Sequence, residues 1–283
     1  MNYRHAFHAG NHADVLKHVA LLALCDTLMS KASPMFFWDV HAGAGVYDLA
    51  GDEAVKTGEA DAGVAKVKAV STEPLQKYLD AIAACKAQFG ANYYPGSPWL
   101  IQSRMREGDR LACTELHSEV VPLLRAAMKG DRRIAIHQAD GYSQVRALLP
   151  PKDGVNRLNR GVVLLDPPYE AQLAEFTAAF AMVTEAMQRW AQGTYVLWYP
   201  IKRRRDLARI YRDAAALPAK SLLSIELLVR EDDSPLRMNG SGLFIWNAPF
   251  LFDTKIEPSL HVLSEQMADG HGSAHCEWLK APA

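Results

Sequence analysis

The strongest constraint on this chain is a recurrence of short, continuous apolar runs separated by helical patterns. The runs are 35–40 (MFFWDV), 111–115 (LACTE), 134–138 (IAIHQ), 161–166 (GVVLLD), 194–199 (TYVLWY), 221–229 (SLLSIELLV) and 242–247 (GLFIWN). Most do not alternate apolar with polar, as strands buried on both faces should not. Helical patterns at 118–129, 141–149 and 170–192 lie between them. That β-α-β-α order predicts a parallel sheet with right-handed crossovers and helices on both faces. The last two runs are joined by EDDSPLRMNGSG, a short polar link that reads as a hairpin. The expected architecture is therefore α/β, with a seven-stranded, mostly parallel sheet ending in one reversed edge strand.

Composition limits the partners. With 49% hydrophobic and 22% charged residues, the chain can bury a full core. No run of about 18 apolar residues suggests a membrane span. The start, MNYRHAFHAGNHAD, is polar and lacks the apolar stretch of a signal peptide. Cys25, Cys85, Cys113 and Cys276 are scattered, as reduced thiols in a cytoplasmic protein would be. Net charge is −1, so any nucleic-acid binding has to come from a local patch.

One interval breaks the rhythm. About seventy residues separate the first two runs, more than one crossover needs. Residues 73–89 carry Leu75, Leu79, Ile82 and Phe89 at helical spacing, and NYYPGSP stops any helix. Residues 50–96 are read as an inserted helical subdomain, with 1–49 and 97–283 forming the main domain.

Several strand ends carry chemistry. After the first comes Asp39-Val-His-Ala-Gly-Ala-Gly45, where Gly43 and Gly45 permit a tight turn and a close ligand approach. Any tight turn could use such glycines. Glu115 ends the second strand; it suits a ribose diol, or equally a helix start. Asp140-Gly141 follows the third; Asp140 suits an adenine amino group, or a helix N-cap. Acids on three successive strand ends beside a glycine turn favour a nucleoside site. His5, His8, His12 and His18 crowd the N-terminus, but their spacing matches no standard metal site, and none is expected. A helix capped by Asn11 and running to about residue 29 accounts for the same segment. Its first turns would bring Asp14, Lys17 and His18 toward the glycine turn and the carboxylate end of a ligand.

In a sheet of order 3-2-1-4-5, ligands bind where the strand order reverses, so Gly43–Gly45 can face Asp166. The sequence there is Asp166-Pro167-Pro168-Tyr169. The prolines remove amide donors and leave acceptors, the Asp166 carboxylate and the Pro167 carbonyl, while Tyr169 offers a flat face. Two acceptors and a stacking plane suit the exocyclic amino group of an unpaired or flipped-out base. A strand-end turn with Asp166 as a cap is the plainer alternative.

"YRHAFHAGNHADVLKH", "DVHAGAGVYDL", "YYPGSP", "TELH", "ADG", "LLDPPYE" and "GTYVLWYP" occur in this order over residues 3–200. Together they resemble the bacterial 23S ribosomal RNA adenine-N6 methyltransferases of the J type. The resemblance implies a class I, Rossmann-like fold and S-adenosylmethionine as methyl donor, with S-adenosylhomocysteine as product. It implies that His18, His41, Ser97, Glu115, Asp140 and Gly141 hold the donor, that Asp166 is catalytic, and that Tyr3 lies near the active site. The implied partner is 23S rRNA, protein-free or in early assembly, met by a monomer. A DNA adenine or cytosine amino-methyltransferase, or a non-catalytic rRNA-binding assembly factor with a vestigial cofactor site, are the alternatives.

For RNA phosphates, IKRRRDLARIYR places Lys202, Arg205, Arg209 and Arg212 on one helical face, with Ile201, Ala208 and Tyr211 toward the core. A solvated helix face has the same pattern. The insertion adds Lys56, Lys66 and Lys68.

Overall fold

The computed structural model describes residues 4–68, 72–169, 173–232, 234 and 238–282. Tyr3 lies outside the described residues. The main sheet has eight strands: β1 (Phe36–Asp39), β2 (Arg110–Glu115), β3 (Ile134–Gln138), β4 (Gly161–Leu165), β5 (Thr194–Ile201), β6 (Leu222–Leu228), β7 (Gly240–Trp246) and β8 (Ser273–Lys280). Their spatial order is β8-β6-β7-β5-β4-β1-β2-β3. β1 to β5 are mutually parallel, whereas β7 runs antiparallel to both β5 and β6, and β8 antiparallel to β6.

Two expectations are corrected. The sheet has eight strands, not seven, and the reversed β7 lies inside the sheet, not at its edge. The additional strand, β8, reads SAHCEWLK and is mostly half-buried. Its polar content, suited to a sheet edge, hides it among the loops.

The continuous apolar runs have a simple cause. Along β1, Phe37 enters one core and Phe36 and Trp38 enter the other; along β4, Val162 and Leu164 alternate in the same way with Val163 and Leu165. Side chains alternate between faces, and both faces are covered.

One face carries α1 (His12–Met29), α2 (Glu73–Phe89), α3 (Ser97–Arg104), α4 (Val121–Ala127) and α7 (Phe252–Gln266); the other carries α5 (Leu173–Arg189) and α6 (Ala208–Ala215). α1 is buried all round from His12 to Cys25, so its sequence is apolar on every side rather than striped. Asn11 caps it, accepting from the amides of Ala13 and Asp14. α2 lays Leu75, Tyr78, Ile82 and Cys85 into the same core as α1, with Leu79 and Phe89 partly buried. No helix among the described residues is long and apolar enough to cross a membrane.

The basic segment departs from one continuous helix. Lys202 follows β5, Arg205 sits in a 3₁₀ turn (Arg204–Leu207), and only Arg209 and Arg212 lie on α6. All four are exposed. The residues turned inward are Leu207, Ile210 and Ala214, while Ala208, expected in the core, is exposed. The short 3₁₀ turn shifts the helical phase by part of a turn.

Candidate active site

The parallel register aligns the strand ends. Asp39 pairs with Cys113 of β2 and with Leu164 of β4, and Glu115 pairs with Gln138 of β3. Glu115 and Asp166 therefore both project about two residues beyond Asp39, onto one rim. There a cleft of ≈ 550 Å³ opens, and Lys17, His18, His41, Gly43, Ser97, Glu115, Asp140, Gly141 and Asp166 line it. Gly45, Pro167 and Tyr169 do not line it, whereas Pro168 does.

The glycine turn is built around Glu115. One carboxylate oxygen accepts from the Gly43 amide at 2.9 Å, the other from the His117 amide at 2.8 Å. Gly43 has φ +61°, and a Cβ there would meet the Tyr47 hydroxyl at 2.2 Å. A Cβ on Gly141 would meet the Val40 carbonyl at 2.3 Å. Gly45 serves the turn from behind: its carbonyl accepts from the Gly96 amide at 2.8 Å, which fixes the start of α3 and the buried Ser97. Asp140 accepts from the Tyr142 amide at 3.2 Å, so it is an N-cap that also faces the cleft.

α1 delivers the cationic side of the site. The Lys17 ammonium donates to Asp166 and lies 2.8 Å from Asp14. Asp14 also takes the Gly10 amide at 2.9 Å and His5 Nε2 at 3.0 Å. Burial alone would discharge both ions. The two carboxylates outweigh it at Lys17, whose pKa is held well above the usual value; His5 and Lys17 outweigh it at Asp14, held well below.

Three neighbouring groups are tuned by burial. Burial pushes His18 down to about 3 and His41 down to about 4. Neutral His41 accepts the Asp166 amide on Nδ1 at 3.2 Å and meets Tyr142 edge-on. His18 Nδ1 bonds the Tyr94 hydroxyl at 2.8 Å, which bonds that of Tyr78 at 2.9 Å. His18 Nε2 is buried with no hydrogen-bond partner among the described residues, although His18 lines the cleft. Burial, with Asp166 adding to it, lifts Asp39 to about 7; both its oxygens are buried without a hydrogen bond of good geometry.

Tyr169 turns inward. It has φ +51°, is buried, and packs edge-on against Phe176 and Trp198 at 4.9 and 5.6 Å between centroids. The N-terminal histidines are separately engaged, His5 by Asp14 and His8 by Glu59 at 2.9 Å. No group of three or more His, Cys, Asp or Glu is placed to hold a metal among the described residues.

Lys17, expected near the ligand, lines the cleft, and Asp14 is its i, i+3 partner on the capped helix. His5 and Tyr142 carry no local signal, since the fold alone brings them to the cleft.

A 3-2-1-4-5-7-6 sheet with β7 reversed, a glycine turn after β1 and acids on the adjoining strand tips defines a class I methyltransferase fold. Comparison with known proteins agrees. The family model described as Ribosomal RNA large subunit methyltransferase D, RlmJ, matches residues 32–280. Two relatives named Ribosomal RNA large subunit methyltransferase J are similar over 99% of both chains, one from Escherichia coli (strain K12) at 37% identity and one from Haemophilus influenzae at 35%. The crystal structure of a Legionella pneumophila protein superposes with a TM-score of 0.83 at 29% identity, covering 95% of this chain and 98% of that one. The chain belongs to the RlmJ family of ribosomal RNA large subunit methyltransferases.

Proposed function

We propose that this protein transfers a methyl group from S-adenosylmethionine to the N6 amino group of an adenine in 23S rRNA, acting in the cytoplasm. The observation that carries the reading is Asp166, fixed by Lys17 and His41 on the rim that also carries the glycine turn and Glu115. The cleft has features that suit such a donor: glycines at its turns, where an added Cβ would displace the Tyr47 hydroxyl or the Val40 carbonyl, and a His18 Nε2 without a hydrogen bond among the described residues. Glu115 would hold the ribose hydroxyls and Asp140 the adenine amino group. Lys17, His18, His41 and Ser97 would hold the methionyl end, with Gly43 and Gly141 permitting close approach. When bound, S-adenosylmethionine supplies an electrophilic methyl group.

The chain's own residues do the rest. Asp166 accepts a hydrogen from the amino group of a flipped-out adenine and makes its nitrogen more nucleophilic; the Pro167 carbonyl, on a buried residue that does not line the cleft, accepts the second hydrogen only when the loop shifts. Asp166 then stabilises the developing positive charge and takes the proton. Tyr169 supplies a stacking face only by leaving its packing against Phe176 and Trp198. Residues 1–49 and 97–283 form the catalytic domain, with 50–96 inserted in it.

The test is methyl transfer to protein-free 23S rRNA from a strain lacking the gene, with nuclease mapping of the product. Asp166→Ala should lower turnover by roughly 10²–10⁴-fold while still binding S-adenosylmethionine. Wild-type turnover in that variant would sink the mechanism, and greater transfer to duplex DNA would sink the substrate assignment.

A further inference from the structure

The N-terminal ends of β1, β2 and β3, opposite the catalytic rim, hold a second cavity of ≈ 590 Å³. Six cations line it: Arg110, Arg132, Arg133, Arg146, Lys152 and Arg189. No carboxylate among the described residues lines it. In a chain of net charge −1, that concentration of one sign is local.

The cations fall into two groups. Arg110 is clamped by Asp153, with contacts of 2.8 and 3.1 Å, and Arg133 by Asp131, with contacts of 2.6 and 2.9 Å. Arg146 and Arg189 share Glu185. Asp153 and Asp131 fix their guanidinium groups in two-point contacts, Glu185 holds its solvent-exposed pair more loosely, and these acids do not cancel the cationic excess. Arg132 and Lys152 are exposed and make no ion pair among the described residues. A rigid cationic frame with two uncommitted cations at its mouth fits phosphate groups.

The cavity and the catalytic cleft also share one open sheet edge. β3 is the last strand on its side. Its first residues, Ile134 and Ala135, line the basic cavity, and Ala139, Asp140 and Gly141, just past its last, line the cleft. Five residues of strand span about 16 Å. The segment that follows runs back the same way: Tyr142 lines the cleft and Arg146 to Leu149 line the cavity.

We infer that this cavity is a docking site for the RNA backbone. It grips phosphates of the substrate strand that leaves the catalytic cleft along the β3 edge. The inference rests on the proposed rRNA substrate and adds a contact surface remote from the reacting base.

The test uses the full chain and the double variant Arg132→Ala/Lys152→Ala, whose exposed side chains carry no structural contact described above. Two rRNA fragments containing the target are compared, one long and one trimmed to a few nucleotides on either side. For the long fragment, the slope of log affinity against log salt should shrink by about 1.4, and affinity near 0.15 M salt should fall about tenfold. kcat/KM should drop on the long fragment and stay unchanged on the trimmed one, with S-adenosylmethionine binding intact. An unchanged slope overturns the inference, as does an equal loss on both fragments. So does inorganic triphosphate binding that depends on these two residues while the RNA slope does not. If the wild-type chain methylates no rRNA fragment, the proposed function fails, and the salt slope still decides whether the cavity holds RNA.

Discussion

Lys17, in the second turn of α1, donates to Asp166 at the tip of β4, across 149 residues of chain. Its other partner is Asp14, one turn earlier on the same helix. One buried cation thus joins the N-terminal helix to Asp166 on the rim of the cleft, and each carboxylate limits where the ammonium can sit. The geometry makes α1 part of the site rather than a cover over the sheet.

Removing that cation should be costly. Lys17→Met leaves the buried Asp14 with His5 as its remaining close ion-pair partner and takes the ammonium from Asp166, and should destabilise the protein by about 3–5 kcal/mol. Asp14→Asn added to it should recover part of that loss, because one under-compensated buried charge is gone. Urea unfolding of the two single variants and the double variant checks this. Purely additive losses would mean that the pair is not coupled.

Acid should destabilise the fold earlier than carboxylate protonation alone would. Burial pushes His12 and His41 down to about 4 and His18 to about 3. Below pH ~6.5 the unfolded chain binds protons that the folded chain excludes, so stability is lost as pH falls from ~6.5 toward these values. Asp39, raised to about 7, has the opposite sign: its folded form keeps a proton that the unfolded form has lost, so its contribution declines as pH rises from ~4 to about 7. The half-exposed His8, raised mainly by its bond to Glu59, opposes the histidines weakly. A net two protons correspond to a loss of at most about 2.7 kcal/mol per pH unit, reached near pH ~5.5 and smaller at either end of the window. Asp39→Asn should steepen that slope and stabilise the protein at pH 8. Denaturant titrations at fixed pH values measure both, and a shallower slope in the variant contradicts the sign given to Asp39.

Much of this was legible in the sequence because local chemistry and global fold agree. The double-sided runs of β1 and β4 could only be buried strands, and Asn11 announced α1. The acids on the strand tips were readable singly, but each had a capping role available, and Asp140 and Glu115 do bond nearby amides. Only the parallel register brings them to one rim. Two things were not legible. β8 is a half-buried edge strand whose stability comes from pairing with β6. The direction of Tyr169 depends on a positive φ that no side-chain pattern encodes.

Tyr169 should therefore act through its ring and not its hydroxyl. The hydroxyl is buried with no hydrogen-bond partner among the described residues, while the ring packs against Phe176 and Trp198. Tyr169→Phe should keep both stability and turnover within about twofold, since it removes an unsatisfied polar atom. Tyr169→Ala should cost about 3–5 kcal/mol and loosen the loop that presents Asp166. Thermal unfolding with methyl-transfer kinetics separates the two, and a Phe variant as impaired as the Ala variant would assign the hydroxyl a role.

The glycine turn offers a test in which a second substitution should partly repair the first. Gly43 holds φ +61°, and an added Cβ would lie 2.2 Å from the Tyr47 hydroxyl oxygen. That hydroxyl accepts from the Ala44 amide at 3.1 Å, so it cannot swing aside without exposing a buried donor. Gly43→Ala should thus incur a left-handed backbone cost of about 1–2 kcal/mol, a steric cost, and a displaced Gly43 amide that no longer reaches Glu115. Weaker S-adenosylmethionine binding should accompany the loss of stability. Tyr47→Phe removes the clashing oxygen at the price of one hydrogen bond, about 1 kcal/mol net. In the double variant the steric part should vanish and the backbone cost should remain, so its loss of stability should be smaller than the sum of the two single losses. Calorimetric titration with S-adenosylmethionine and denaturant unfolding read the two effects separately. Strict additivity would place the strain of Gly43→Ala in the backbone alone, with Tyr47 no part of the turn.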